Sequence, residues 1–296
     1  MVYVKYIKNY NTEVLQNGIR PNLAETLSVG AEAFENKSIK DLWALVRCIT
    51  EVPVSLSSDV VKARSDPSVQ AALVKQARHH LEKSYETHMH SLVYSQLERA
   101  QLGGVPGMLS LVRAYLKVVL PPQALTHLED GTDYNNAPVW PLIFFCLRAG
   151  GVKAAASAAS DNNNPAVVEV AAALKQLEKI SDGRRLSSDT EKKLRLAYKR
   201  CSKSITDPFK RAVYCVLARC DPMEDHCDII TTTDDYLWIK LAVVDCDSTS
   251  GSDASSSSQD ELTLAQFQKM LYQDYGESHF DAWNQPLLYV SVSISN

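Results

Sequence analysis

Pro138-Val-Trp-Pro-Leu-Ile-Phe-Phe-Cys-Leu-Arg148, then Ala149-Gly150-Gly151, then Val152-Lys-Ala-Ala-Ala-Ser-Ala-Ala159 is the stretch on which the fold reading turns. Its first part is apolar nearly all round. As a helix it has no face left for water, so it must be buried on several sides. The glycine pair turns the chain tightly, and the small side chains that follow let a second helix approach closely. Such a unit is an αα-hairpin, the building block of an α-solenoid.

Working outward, the same periodicity recurs. Ser38 and Asp41 resemble a capping box, and Ile39, Leu42, Trp43, Val46 and Ile49 fall on one helical face before Pro53. Asp66-Pro67 opens a long helix running to about Ala100, striped by Val69, Leu73, Ala77, Leu81, Tyr85, Leu92 and Leu97. Gly103-Gly104-Val105-Pro106-Gly107 breaks it, and a helix with Leu109, Val112, Tyr115, Leu116 and Val119 follows, up to Pro121-Pro122. Three further helices are expected. One spans about Ala166 to Ile180. The next opens at Ser188 with Glu191 as a capping box and carries Leu194, Leu196, Tyr198 and Cys201, and the third opens at Asp207-Pro208. Asp234-Asp235 precede the short apolar helix Tyr236-Leu-Trp-Ile-Lys-Leu241, and Thr263 with Gln266 caps a helix through Phe267, Met270 and Leu271. No repeat of 34 or 40 residues is visible, so the array is irregular. The fold class is all-α: a bent, irregular solenoid of antiparallel helix pairs.

Composition narrows the function. The 296 residues are 45% hydrophobic with only 11 glycines and 12 prolines, which suits helices and a real core. A net charge of −4 argues against a general affinity for nucleic acid or anionic membrane. No apolar run approaches a bilayer span, and the Lys- and Tyr-bearing N-terminus lacks the apolar block of a signal peptide. The seven irregularly spaced cysteines read as free thiols of a reducing compartment.

The residues that could carry chemistry fall short of it. Cys215, Cys220 and Cys227 with His226 lack the second ligand pair of a structural zinc site, so no stoichiometric zinc is expected. His79, His80, His88 and His90 share a long helix without a His-Glu-x-x-His signature. Gly103 to Gly107 has neither the following Gly-Lys-Ser/Thr nor a preceding strand, and reads as a turn. No Gly-x-Ser-x-Gly elbow is present. Arg184, Arg185, Lys192, Lys193, Arg195, Lys199 and Arg200 form a basic helix face, either solvated or partner-binding. Trp43, Trp140, Trp238 and Trp283 read as core, or as anchors where exposed. No catalytic residue, metal ligand or cofactor is assigned, and the partner-binding residues are left open.

Several stretches resemble the nucleoporin-interacting-component family. They are Lys37 to Trp43, Gln101 to Gly107, Pro138 to Arg148, Asp207 to Cys215, Asp235 to Leu241, Leu262 to Lys269 and, most specifically, Asp274-Tyr-Gly-Glu-Ser-His-Phe280. They occur in the family's order across nearly the whole chain, matching the central to N-terminal part of its α-helical domain. The resemblance implies a non-catalytic scaffold of the nuclear-pore inner ring that binds linker and large scaffold nucleoporins, with no direct nucleic acid and no membrane insertion. It also implies a nuclear-envelope location. The alternative reading is an all-α nucleic-acid-binding or cofactor-carrying protein.

Residues 1–244 are expected to form the solenoid, 245–260 an acidic Ser-rich disordered loop, and 261–296 a continuation of the solenoid with a truncated end. The family's N-terminal coiled-coil segments are not in this sequence, and its helices continue past the region matching Pro286 to Tyr289, so the chain reads as a fragment, splice product or truncated gene model. Leu287, Leu288, Tyr289, Val290, Val292 and Ile294 then predict an apolar patch and self-association through that end.

Overall fold

The computed structural model describes residues 2–18, 21–34, 36–52, 62, 65–120, 128–133, 135–160, 162–180, 185–246 and 262–276. Pro53, Pro121, Pro122, Arg184, Trp283, residues 247–260 of the acidic segment and the apolar residues from Leu287 onward lie outside the described residues. In chain order the elements are α1 (Val2–Gln16), α2 (Leu23–Ala31), α3 (Lys37–Thr50), α4 (Pro67–Ser95), α5 (Leu97–Ala100), α6 (Met108–Val119) and α7 (Val139–Arg148). They continue with α8 (Val152–Ser160), α9 (Pro165–Lys179), α10 (Ser188–Cys201), α11 (Pro208–Ala218), α12 (Thr233–Val243), β1 (Val244–Asp245), β2 (Leu262–Thr263) and α13 (Leu264–Tyr275). The all-α class expected from periodicity is the fold observed. The two strands form one parallel pair, Val244 beside Leu262 and Asp245 beside Thr263.

The described residues fall into two compact units, one within residues 1–80 and 268–296, the other within 81–267. In the first, α1 packs on α2 and α2 on α3. Trp43 Nε1 donates to Tyr3 OH at 2.7 Å, and the Tyr3 ring also lies 5.4 Å from Phe34. Cys48 Sγ meets Gln76 Oε1 at 3.4 Å, joining α3 to α4.

The second unit is built around α7, all ten of whose residues are buried. Helices α6, α8 and α11 pack on it, and α9, with Val167, Val170, Ala171 and Leu174 buried, packs on α8. The buried face of α8 is Ala155, Ala156, Ala158 and Ala159, which is why two backbones can lie so close. Gly150 makes the turn possible: its φ is +74°, a left-handed conformation that side chains resist. A Cβ there would also stand 3.0 Å from Glu82 Oε2.

Local signals place most helix starts within a residue. Asp207 accepts from Phe209 N (2.9 Å) and Lys210 N (3.2 Å), and Thr263 and Gln266 bond reciprocally as a capping box. Two expected boxes are corrected. Asn36, not Ser38, caps α3 by accepting from Ser38 N at 2.9 Å. The carboxylate of Glu191 is buried rather than turned back to Ser188, and Ser187 occupies the capping position of α10. Three expected core leucines face water instead. Leu42 yields its place to Leu45, and Leu196 lies on the outer face of α10. Leu97 is displaced because the backbone breaks at Gln96 (φ −134°), ending the register that buries Met89 and Val93.

Gly150→Ala is expected to cost about 1–2 kcal/mol through the left-handed backbone alone. Urea denaturation followed by far-UV circular dichroism checks it, and an unchanged midpoint would show that the turn has room to relax.

Candidate functional site

Arg148, the last residue of α7, is 2% exposed and yet charged. Burying a guanidinium without partners is prohibitive, and here a carboxylate, a carbonyl and an aromatic face meet it. Its Nε donates to Asp235 Oδ1 at 3.0 Å, Nη1 donates to the Leu81 carbonyl at 2.9 Å, and its plane lies 4.2 Å over the Tyr85 ring. Asp235 in turn accepts from Thr232 Oγ1 at 2.8 Å and Thr231 Oγ1 at 3.2 Å. Trp238 Nε1 donates to Glu82 Oε1 at 3.3 Å, so α4, α7 and α12 are tied by one polar cluster.

Against that cluster lies an apolar cleft of about 610 Å³, walled by Tyr85, Tyr115, Phe144, Phe145, Phe209 and Ile229. The rings pack on one another at 5.2–5.6 Å: Phe144 with Phe145, both with Phe209, and Tyr115 with Phe145. Tyr85 and Tyr115 share a hydroxyl contact of 2.9 Å, and burial pushes both phenols above their ordinary range. Two carboxylates line the cleft: Asp235 is already committed to Arg148 and two threonines, and Asp228 is exposed to solvent. The cleft therefore offers shape and apolar area rather than a reacting group.

A second polar cluster closes the start of α11. Lys210 Nζ donates to Glu129 Oε2 and Asp130 Oδ2, both at 2.7 Å, while Trp140 Nε1 and Asn164 Nδ2 also donate to Asp130. Burial works against the Glu129 carboxylate, but hydrogen bonds from Lys210 and Thr206 outweigh it and hold the group at about 2. In a third, Lys240 is 1% exposed and donates to the carbonyls of Pro222 (2.6 Å) and Glu224 (3.1 Å).

The sequence-level metal candidates do not come together. Cys215 and Cys220 are buried in the closing turn of α11, where Cys220 N donates to Cys215 O at 3.3 Å and Arg219 adopts φ +49°. That six-to-one bond explains their spacing as a helix stop. Cys227 is exposed, and His226 is buried near Lys240 and Arg211. Along α4, His79, His88 and His90 are exposed, and His90 stacks on Tyr94 at 6.0 Å. No group of three His, Cys, Asp or Glu able to hold a metal occurs among the described residues. The Gly103 to Gly107 loop joins α5 to α6 and borders a cleft of about 560 Å³ with Lys117 and Asn135.

The basic face divides in two. Arg195 turns inward and donates to the carbonyls of Ala218 and Arg219 at 3.2 Å, while Arg185 pairs with Asp245 at 3.4 Å. Lys192, Lys193, Lys199 and Arg200 face outward. Trp140 and Trp238 are core at 0% exposed, and Trp43 is half-buried. The buried charges Arg148, Lys210, Lys240 and Glu191 were not legible as such. The one hint is position, with Arg148 closing an otherwise apolar helix before Gly-Gly and Lys210 following an Asp-Pro cap.

An all-α unit of stacked helical hairpins, with buried charges such as Arg148 and Lys210 spent on joining its elements, defines a helical scaffold module. The profile of the Nup93/Nic96 family matches residues 37–295, and the chain belongs to that family. Among its relatives, nuclear pore complex protein Nup93 of Xenopus tropicalis is 41% identical over 99% of this chain, and the Danio rerio protein of the same name is 40% identical over 99%. In each case the chain spans 35% of the relative's own length. The crystal structure of Chaetomium thermophilum Nic96 SOL shares the fold, with TM-score 0.65 at 18% identity, covering 98% of this chain and 44% of that one.

His226 supplies a pH test. Burial, reinforced by Lys240 and Arg211, lowers its pKa to about 4. The unfolded chain takes up the proton near 6.5, so the neutral ring's contribution is complete above that pH and is lost as pH falls toward 4. Between pH 6.5 and 4.5 the loss amounts to about 2 kcal/mol. Glu129 stays out of this window, because its contribution is lost only as pH falls below about 4.5 toward 2. His226→Asn, which tolerates the φ of +48° at this position, is expected to flatten the stability profile between those pH values. A profile as steep as the parent's would assign the loss to other groups.

Proposed function

We propose that this chain is a non-catalytic part of the inner-ring scaffold of the nuclear pore complex, supporting pore assembly and the transport of protein and mRNA by binding other nucleoporins. The observation that carries the reading is the 41% identity over 99% of the chain to a protein named as nuclear pore complex Nup93. The all-helical architecture and internally satisfied polar clusters support it, and a nuclear-envelope location follows from it. In this reading residues 1–244 form the helical module, 245–260 an acidic insertion, and 261–296 its continuation. The pairing of Val244–Asp245 with Leu262–Thr263 accords with a segment that leaves and returns at one place. The cofactor-carrying and nucleic-acid alternatives gain no support, since part of the basic face is used inside the fold.

The finer partner assignment is to linker and large scaffold nucleoporins. Apolar segments of the linkers would enter the aromatic cleft, where Ile229 sits half-exposed at the wall. Self-association through residues 287–294 has no described surface to rest on.

Crosslinking with mass spectrometry on nuclear envelopes, using the tagged chain, tests the function. Crosslinks concentrated on other nucleoporins are expected. Ile229→Glu is expected to weaken crosslinks to linker segments by about tenfold while leaving the helical content intact, because it places a charge in an apolar cleft. Crosslinks dominated by chromatin or RNA-binding proteins would overturn the scaffold reading.

A further inference from the structure

Where the start of α10 meets the end of α11 and β1, the second unit holds a small polar cleft of about 110 Å³. That is well above the roughly 10–15 Å³ that a single water needs. Arg185, Lys192, Arg195 and Arg219 line it, together with Glu191 and Asp245. Arg185 is already paired with Asp245 at 3.4 Å. The remaining three cations therefore face one acid.

Two of the three are held along one edge only. Arg195 spends Nε and Nη2 on the carbonyls of Ala218 and Arg219. Arg219 spends Nη2 on the carbonyls of Val243 and Val244 and on Asp245. Among the described residues Arg195 Nη1, Arg219 Nε, Arg219 Nη1 and Lys192 Nζ make no hydrogen bond. The Arg219 side chain is only 12% exposed, so its unused donors belong to a guanidinium that the fold holds in place. Glu191 is 8% exposed in its side chain, its Oε1 has no hydrogen-bond partner, and Arg185 Nε stands 3.7 Å away. Burial pushes this carboxyl above its ordinary range, although Arg219, Arg185 and Arg195 pull it down.

Water can meet the idle donors, but it leaves the excess of positive charge standing. An oxyanion meets both. We propose that this cleft binds a terminal phosphate group through the unused donors of Arg195 and Arg219 and the ammonium of Lys192. A phosphate monoester carries about two negative charges near pH 7, which matches three cations set against one acid, whereas a nucleic-acid diester carries one. Guanidinium groups fixed along one edge present the other as a ready fork for its oxygens. The cleft shares no lining residue with the aromatic one, so the site stands or falls independently of the partner reading above.

Inorganic phosphate and a phosphorylated side chain offer the same chemistry, and the experiment separates them. In the sequence, Ser248, Ser250, Ser252 and Ser255 to Ser258 follow closely on Asp245, which makes that stretch the natural probe. A labelled peptide with the sequence of residues 247–260, phosphorylated at Ser257, is titrated with the full 296-residue chain by fluorescence anisotropy. Saturable binding is expected, about tenfold tighter than that of the unphosphorylated peptide and weaker as salt rises. Lys192→Glu is expected to weaken it by about tenfold with unchanged circular dichroism and thermal midpoint. Glu191→Gln, which removes the one acid left facing the site, is expected to tighten it by about threefold. Inorganic phosphate that displaces the peptide at matching concentration assigns the site to the free anion. A need for about tenfold more assigns it to a phosphorylated side chain, and the proposal stands in both cases. It fails if the two peptides bind alike, if Lys192→Glu binds like the parent, or if folded Glu191→Gln binds more weakly. It also fails if single-stranded RNA displaces the phosphopeptide more effectively than phosphate does.

Discussion

A guanidinium buried at the end of an apolar helix sets the terms for the second unit. Arg148 cannot lie there unless a carboxylate, a backbone carbonyl and an aromatic face converge on it, and these come from α12 and the later part of α4. Meeting that demand fixes where three helices cross. The neighbouring contacts then follow. Glu82, one residue beyond the carbonyl that Arg148 uses, reaches Trp238, and the turn at Gly150 must leave room for the same glutamate. Lys210 and Lys240 repeat the device elsewhere, one against two carboxylates and the other against two carbonyls. Apolar burial makes these helices pack, and the buried charges select which packing is allowed.

Much of the architecture was readable in one dimension because helix ends and apolar faces are local properties. Pro138 to Ala159 announced a buried helix, a tight turn and a closely packed small-residue helix, and the structure contains that hairpin. Asp207 and the Thr263–Gln266 pair did the same for two caps. The failures have physical causes. Ser38 and Asn36 both suit a cap, and a window of a few residues cannot decide between them. Leu97 and Leu196 match the helical period, but one follows a backbone break and the other sits on an exposed face of α10. The buried charges were invisible because their partners are remote in sequence: 87 residues separate Arg148 from Asp235, and 156 separate Glu82 from Trp238. The strand pair escaped notice because two residues carry too little period to read.

The distribution of polar groups bears directly on function. Inside the second unit, Arg148, Asp235, Lys210 and Glu129 are consumed in joining elements of the fold, and Cys215 and Cys220 are part of a helix stop. Among the described residues, what faces outward includes an aromatic cleft beside α6, α7 and α11. Such surfaces suit an element that is held by its neighbours and holds them in return. Family membership and the internal use of charge thus point the same way, from different levels of description.

If the Arg148–Asp235 pair organises the packing, its two members must be energetically coupled, and a double-mutant cycle measures that coupling. Equilibrium unfolding of Arg148→Met, Asp235→Leu and the double variant is the direct experiment. Each single change should cost about 3–5 kcal/mol by stranding a buried charge, and the double variant should be no less stable than either single one. Losses under about 1 kcal/mol, or strictly additive ones, would show that the helices pack without the pair and would contradict the account.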